Sequence, residues 1–156
     1  MSRRTVTTTS LLTASPSTVW DQVSTMRGVN EELAPWLSMS YPAGADLLQW
    51  TAAMAGTPLF TSTLRVFGVL PYDRHALRLT RLVPGEGFLE ESTSWTMSTW
   101  RHERTLEAVT GGTEITDRVT FEPRAPGIAP IVERLVTAVF RHRHEVLRRR
   151  FGGRGL

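Results

Sequence analysis

The spacing of hydrophobic and polar positions changes along the chain and divides it into strand, helix, sheet and helix. Residues 5 to 14, TVTTTSLLTA, are threonines and aliphatics that read as a first strand. Ser15 then offers an N-cap and Pro16 a first helical position, with Val19, Trp20 and Val23 on one side of the short helix that follows. A second short helix is predicted from Val29 to Leu37, interrupted by Pro35. Two brief helices directly after a strand suit a lid or clasp better than a core scaffold. The stretch Ser38 to Gly56, with Tyr41, Trp50 and Met54, has no legible period and reads as either a strand or a flap.

From Leu59 to Val69 and from Arg74 to Val83 the chain is β-rich, with a Pro71-Tyr72-Asp73 turn between the two runs. A further strand is predicted from Gly87 to about Trp95, after the turn Pro84-Gly85-Glu86-Gly87. Strands that follow one another through short turns pair antiparallel. After Ala125-Pro126-Gly127, residues 128 to about 151 form one long helix, because Ile128, Val132, Leu135, Val139, Phe140, Val146 and Leu147 recur at three- and four-residue spacing. Arg143 falls inside that stripe, and Gly152-Gly153 stops the helix.

Between these segments lies WRHERTLEAVTGGTEITDRVTF, Trp100 to Phe121. With Gly111-Gly112 as a two-residue turn, Arg104 pairs with Val119 and His102 with Phe121. One face then collects Trp100, His102, Arg104 and Leu106 against Ile115, Asp117, Val119 and Phe121, and the opposite face is charged and wet. An imidazole, a guanidinium and a carboxylate therefore sit among hydrophobes, where an unpaired charge would cost several kcal/mol. They must be paired, hydrated in a cavity, or both.

Composition narrows the setting. The 156 residues fit one domain, 1–156, and 40% apolar residues suffice for one sizeable core. The lack of cysteine excludes disulfides and thiolate chemistry and is compatible with a reducing cytoplasm. Neither a secretory h-region nor a membrane-length apolar run occurs, so the expectation is a soluble, cytoplasmic protein without stable membrane insertion. All 18 basic residues are arginine, which lifts the isoelectric point to about 10.5 at a net charge of only +3. Several sit in the terminal RHRHEVLRRRFGGRGL, which reads as a solvated helix face or as an interaction module for nucleic acid or anionic lipid. No recognisable RNA- or DNA-binding motif accompanies that charge, so no nucleic-acid partner is expected.

His142 and His144 point about 200° apart on a helix, cannot share one ion, and are expected to face solvent. No metal or organic cofactor is predicted. Glu90 is placed inward beside Phe88, and Arg143 comes down from the helix to join His102, Arg104 and Asp117. The arginines and histidine of this cluster could donate hydrogen bonds to a ligand, or the cluster could be a self-satisfied network pinning helix to sheet. As an enzyme, the chain would use His102 beside a carboxylate as a general base. Trp20 is expected in the core, and Trp36, Trp50 and Trp95 at a pocket mouth.

The opening LLTASPSTVWDQVS, and the succession WRHER, GGTEITDRV and FRHRHEVLRRRF, resemble the START-like, or Bet v 1-like, helix-grip superfamily (SRPBCC) and within it the polyketide cyclase/dehydrase-type ligand-binding subgroup. The resemblance spans nearly the whole chain. It implies an α+β fold in which a curved antiparallel sheet wraps a long C-terminal helix, with two short helices after the first strand. It also implies an internal cavity for a hydrophobic small molecule, lipid or polyketide-like, that is bound, carried or cyclised. In this chain the walls would include Trp36, Trp50, Trp100, Phe121, Leu135 and Val139, and the polar floor Glu90, His102, Arg104, Asp117 and Arg143. A monomer or a homodimer is expected.

Overall fold

The structure is a computed structural model and describes residues 3–44 and 58–156. In chain order it contains β1 (Arg4–Leu12), α1 (Pro16–Val23), α2 (Met26–Leu33), β2 (Leu37–Met39), β3 (Pro58–Val66), β4 (Leu70–Val83), β5 (Gly87–Ser94), β6 (Met97–Val109), β7 (Gly112–Pro123), α3 (Ala129–Phe151) and β8 (Gly153–Gly155). The strands of the described residues form one antiparallel sheet in the order β2-β3-β4-β5-β6-β7-β1-β8. Register shifts in the β3–β4, β4–β5 and β6–β7 pairs mark bulges, which bend strands and curl the sheet around α3.

The first helix follows the predicted caps: Ser15 Oγ accepts from Thr18 N, Pro16 opens the helix, and Val19, Trp20 and Val23 are buried. The second begins and ends earlier than predicted. Thr25 Oγ1 accepts from Gly28 N and so starts α2 at Met26, and Pro35 keeps Ala34 extended, so the helix closes at Leu33. Of the unreadable stretch, β2 covers two residues, Ser38 and Met39, and Trp50 lies outside the described residues.

Two turns move from their predicted places. The β3–β4 reversal falls at Phe67, Gly68 and Val69, so Pro71, Tyr72 and Asp73 belong to β4. The β6–β7 reversal is Thr110-Gly111 rather than the glycine doublet, because Gly112 pairs with Val109 inside the ladder. A side chain there would put its Cβ 1.9 Å from the carbonyl oxygen of Leu12 in β1, which packs onto the strand at that point. The correction moves each partner by two residues, so the inward face is unchanged while the pairs differ. Arg104 stands opposite Asp117, and His102 opposite Val119.

The buried face of α3 is Ala129, Val132, Val136, Phe140, Arg143, His144 and Leu147. Leu135, predicted as a wall residue, points away and is 62% exposed, and Val136 takes its place. Burial follows the four-residue row Val132, Val136, Phe140 and His144. An apolar count passes over the last member because it is a histidine. His144 is therefore a fully buried residue and not, as predicted, a solvent one.

Candidate functional site

The pleat of β3 to β7 sends a set of polar side chains toward α3. Ser62, His75, Glu90, Ser92, Ser94, His102, Arg104 and Asp117 are all buried. They lie between two apolar clusters, one built on Leu12, Trp20, Leu77, Phe88 and Ile115, the other on Val119, Phe121, Val132, Val136 and Phe140 with Trp100 and Val139 against it. These polar residues divide into two chemically different halves.

The first half is closed. The Arg104 guanidinium donates from Nε to Asp117 Oδ1 at 2.7 Å and from Nη2 to Oδ2 at 2.6 Å, while Nη1 and Nη2 reach Glu32 Oε2 and Oε1 at 3.0 and 2.8 Å. Arg143 Nε adds a third donor to Glu32, at 3.1 Å. Asp117 also accepts from His102 Nε2 at 2.7 Å and His144 Nε2 at 2.8 Å. Burial alone would raise both acids, but Arg104 outweighs it, so Glu32 sits below the usual carboxylate range and Asp117 well below it. His144 Nδ1 shares a hydrogen bond with Ser10 Oγ at 2.8 Å, and Ser10 Oγ accepts from Arg148 Nη1 at 2.9 Å. One network thus fastens α2 and α3 to β1, β6 and β7.

The second half has hydrogen-bonding capacity to spare. Glu90 Oε1 accepts from His75 Nε2 at 2.5 Å and from the Ser92 hydroxyl at 2.8 Å. Its Oε2 faces His102 Nδ1 at 3.8 Å, too far for a direct hydrogen bond. Burial would lower His75, but the Glu90 carboxylate prevails and raises it, and Glu90 is in turn held below the carboxylate range. Ser62, opposite His75 across β3 and β4, has a buried hydroxyl with no partner among the described residues. Trp100 stands edge-on to His75 at 6.2 Å, and Phe88 and Phe140 stand edge-on to His102 at 5.3 and 5.0 Å.

The structure brings together most of the predicted site. Trp100, Phe121 and Val139 share one apolar cluster, and Glu90, His102, Arg104, Asp117 and Arg143 all point inward. Trp36 departs from the predicted wall: it is 52% exposed and rests against Phe67 and His142 at the surface. Trp95 is exposed at the β5–β6 turn. The Arg-rich terminus is largely engaged, with Arg149 on Glu145 and Arg150 on Glu31 in addition to Arg148 on Ser10. Sequence reasoning missed Glu32, His75, Ser62 and His144. A signal for Glu32 existed, since a buried Arg flanked by one carboxylate calls for a second.

Two depressions outlined by described residues lie outside the fold's interior. One is on the outer face of α3, lined by Pro130, Glu133, Arg134, Thr137, Ala138 and Arg141, and the other lies beside the β6–β7 turn.

This architecture is the helix-grip fold. Solved structures with the same fold include protein CV1439 from Chromobacterium violaceum (14% identical, TM-score 0.67, covering 96% of this chain and 98% of that one). A START superfamily protein from Mycobacterium smegmatis matches at 13% identity and TM-score 0.61 over 96% and 95% of the two chains. The Zhui aromatase/cyclase from Streptomyces sp. R1128 matches at 16% identity and TM-score 0.59 over 95% and 96%. No curated protein matches the sequence. The chain belongs to the family described as a domain of unknown function, DUF8410, whose model matches residues 10–151.

Proposed function

We propose that residues 1–156 act as one cytoplasmic domain that binds or carries a hydrophobic small molecule, lipid or polyketide-like, between the sheet and α3. Its apolar body rests against Trp100, Phe121 and Val139, and its polar end meets Glu90, His75 and Ser62. The observation that carries this reading is Ser62. A buried hydroxyl without a partner among the described residues costs about 1–3 kcal/mol, and one set across the sheet from the His75 imidazole is explained by a guest that completes it. The Arg104–Asp117–Glu32 network, with its carboxylates saturated by donors, is a positioning clamp and not the floor that meets the ligand.

Binding of 1-naphthol, a planar apolar probe with one hydroxyl, tests the reading by quenching of tryptophan fluorescence. Glu90→Gln should weaken binding about tenfold, the worth of a charge-assisted hydrogen bond, with the fold intact. Native mass spectrometry of the freshly purified protein should also carry an extractable apolar adduct. Unaltered affinity in Glu90→Gln, with no adduct, contradicts it.

A second reading follows from His102, whose Nε2 is fixed by Asp117 while Nδ1 faces Glu90. As a cyclase or dehydratase, the chain would use Nδ1 as the general base on an acidic carbon of a polyketone. His102→Gln separates the two: a carrier keeps most of its affinity, whereas an enzyme binds and stops turning over.

A further inference from the structure

Around the β3–β4 turn the surface is apolar. The β3–β4 turn projects Phe67, Val69 and Leu70, which are 62%, 77% and 63% exposed. Phe67 adopts φ 53°, a left-handed backbone that a bulky residue takes only at a cost in strain, and its amide is held by Trp36 O at 2.8 Å. The outcome is an outward Phe67 ring 5.9 Å from that of Trp36, which in turn lies 6.3 Å from His142 on α3. From His142 an exposed apolar stripe runs back along the helix through Leu135 and Ile131, within a sector of about 40° and separate from the buried face. Helix α3 is thus apolar on two sides, and only one is covered by the sheet.

Charge identifies what fits this surface. Arg65 lies one residue from the turn, and Arg134 and Arg141 edge the helical stripe. None of the three has a carboxylate partner among the described residues. The acids of α3 are taken elsewhere, Glu133 by Arg4 at 3.2 Å and Glu145 by Arg149 at 3.5 Å. We infer that this surface docks peripherally on an anionic phospholipid surface, with the Phe67–Leu70 tip and the Leu135 stripe at the headgroup boundary and the unpaired arginines on the phosphates. Two features favour lipid over a second copy of the chain. A two-fold contact would gather Arg65, Arg134 and Arg141 of both copies into one interface with no carboxylate of the described α3 residues free to pair them, and the apolar tip protrudes instead of forming a groove. No described helix is long and apolar enough to span a membrane, and surface docking needs none. The inference goes beyond ligand binding and holds whatever the interior contains.

Co-sedimentation of the full chain with vesicles of phosphatidylcholine, with or without about 30% phosphatidylserine, tests it. Binding should require the anionic lipid and fall steeply between about 50 mM and about 500 mM salt. Phe67→Ser with Leu70→Ser should lower partitioning roughly tenfold, and Arg134→Glu with Arg141→Glu by at least as much, since each arginine is worth about fivefold. Arg101→Glu with Arg118→Glu, on the outward face of β6 and β7, should leave it unchanged. Phe67→Gly keeps loss of binding distinct from loss of fold, because it should raise the melting temperature while weakening sedimentation. The inference is overturned by absent binding at low salt, by equal binding in the tip variants, or by binding lost only with Arg101 and Arg118. It is equally overturned if Leu135→Ser abolishes a concentration-dependent dimer while vesicles bind nothing.

Discussion

Arg104 on β6 and Asp117 on β7 face one another directly across the ladder, and the same guanidinium reaches through the core to Glu32 on α2. One side chain therefore cross-links the sheet to the clasp of short helices. Removing it leaves two buried carboxylates without their main counter-charge. Arg104→Met should cost about 3–5 kcal/mol in urea unfolding. Joint replacement of Arg104, Glu32 and Asp117 by apolar residues should cost much less than the sum of the single changes. A loss under about 1 kcal/mol for Arg104→Met would show that the clamp carries little of the fold.

His142 and His144 lie two residues apart and have opposite fates. His144 is enclosed between Ser10 and Asp117, whereas His142 touches the Ala34 carbonyl at the surface. His144→Leu should destabilise by about 2–3 kcal/mol, because it strands a buried serine and an acceptor oxygen of Asp117. His142→Ala should change stability by less than about 1 kcal/mol. Equal effects of the two, measured by denaturation, would contradict the assigned burial.

How far the sequence was legible follows from which forces are local. Caps and turns are local, so the Ser15-Pro16 start and the Gly152 stop of α3 could be read directly. The inward face of β6 and β7 was equally readable, because a two-residue error in register conserves side-chain direction. The register itself was not. Gly112 is a glycine because Leu12 of β1 approaches it, a contact separated by about 100 residues that no local pattern reveals. Leu135 and His144 were exchanged for a related reason: hydrophobicity marks what can be buried, but His144 is buried by its partners. Glu32 and His75 sit in unremarkable stretches and acquire meaning only from residues distant in the chain.

Gly112→Ala should be among the most damaging small substitutions. The new Cβ would meet the Leu12 carbonyl oxygen, a backbone atom that cannot swing aside, at a φ of 154°. A cost of about 2 kcal/mol or more is expected, together with altered amide shifts in β1. Gly111→Ala, where nothing lies within 4 Å, should show only the strain of its own positive φ. Comparable losses at both sites, without a change in β1, would argue against the Leu12 approach.

The pH dependence carries two opposite slopes. Glu32, Glu90 and Asp117 are held below their ordinary values, so their stabilisation is complete above about pH 4.5 and fades as pH falls. His75 is raised by Glu90 above its ordinary 6.5, so its contribution is complete below that value and fades as pH rises through the folded-state value. Thermal melts across about pH 3 to pH 9 should therefore peak between about 5 and 6.5. His75→Asn should flatten the alkaline slope and leave the acid one. An alkaline slope that survives this change assigns it to another group.

The central claim is that the buried polar cluster has a closed half, which holds the fold, and an open half, which meets a ligand. Nitrogen-15 spectra of the histidine rings, recorded while 1-naphthol is added, test it most directly. The account predicts that the ring signals of His75 and His102 move with saturation while those of His144 stay where they are. Unmoved signals at His75 and His102, or an equal shift at His144, would contradict it.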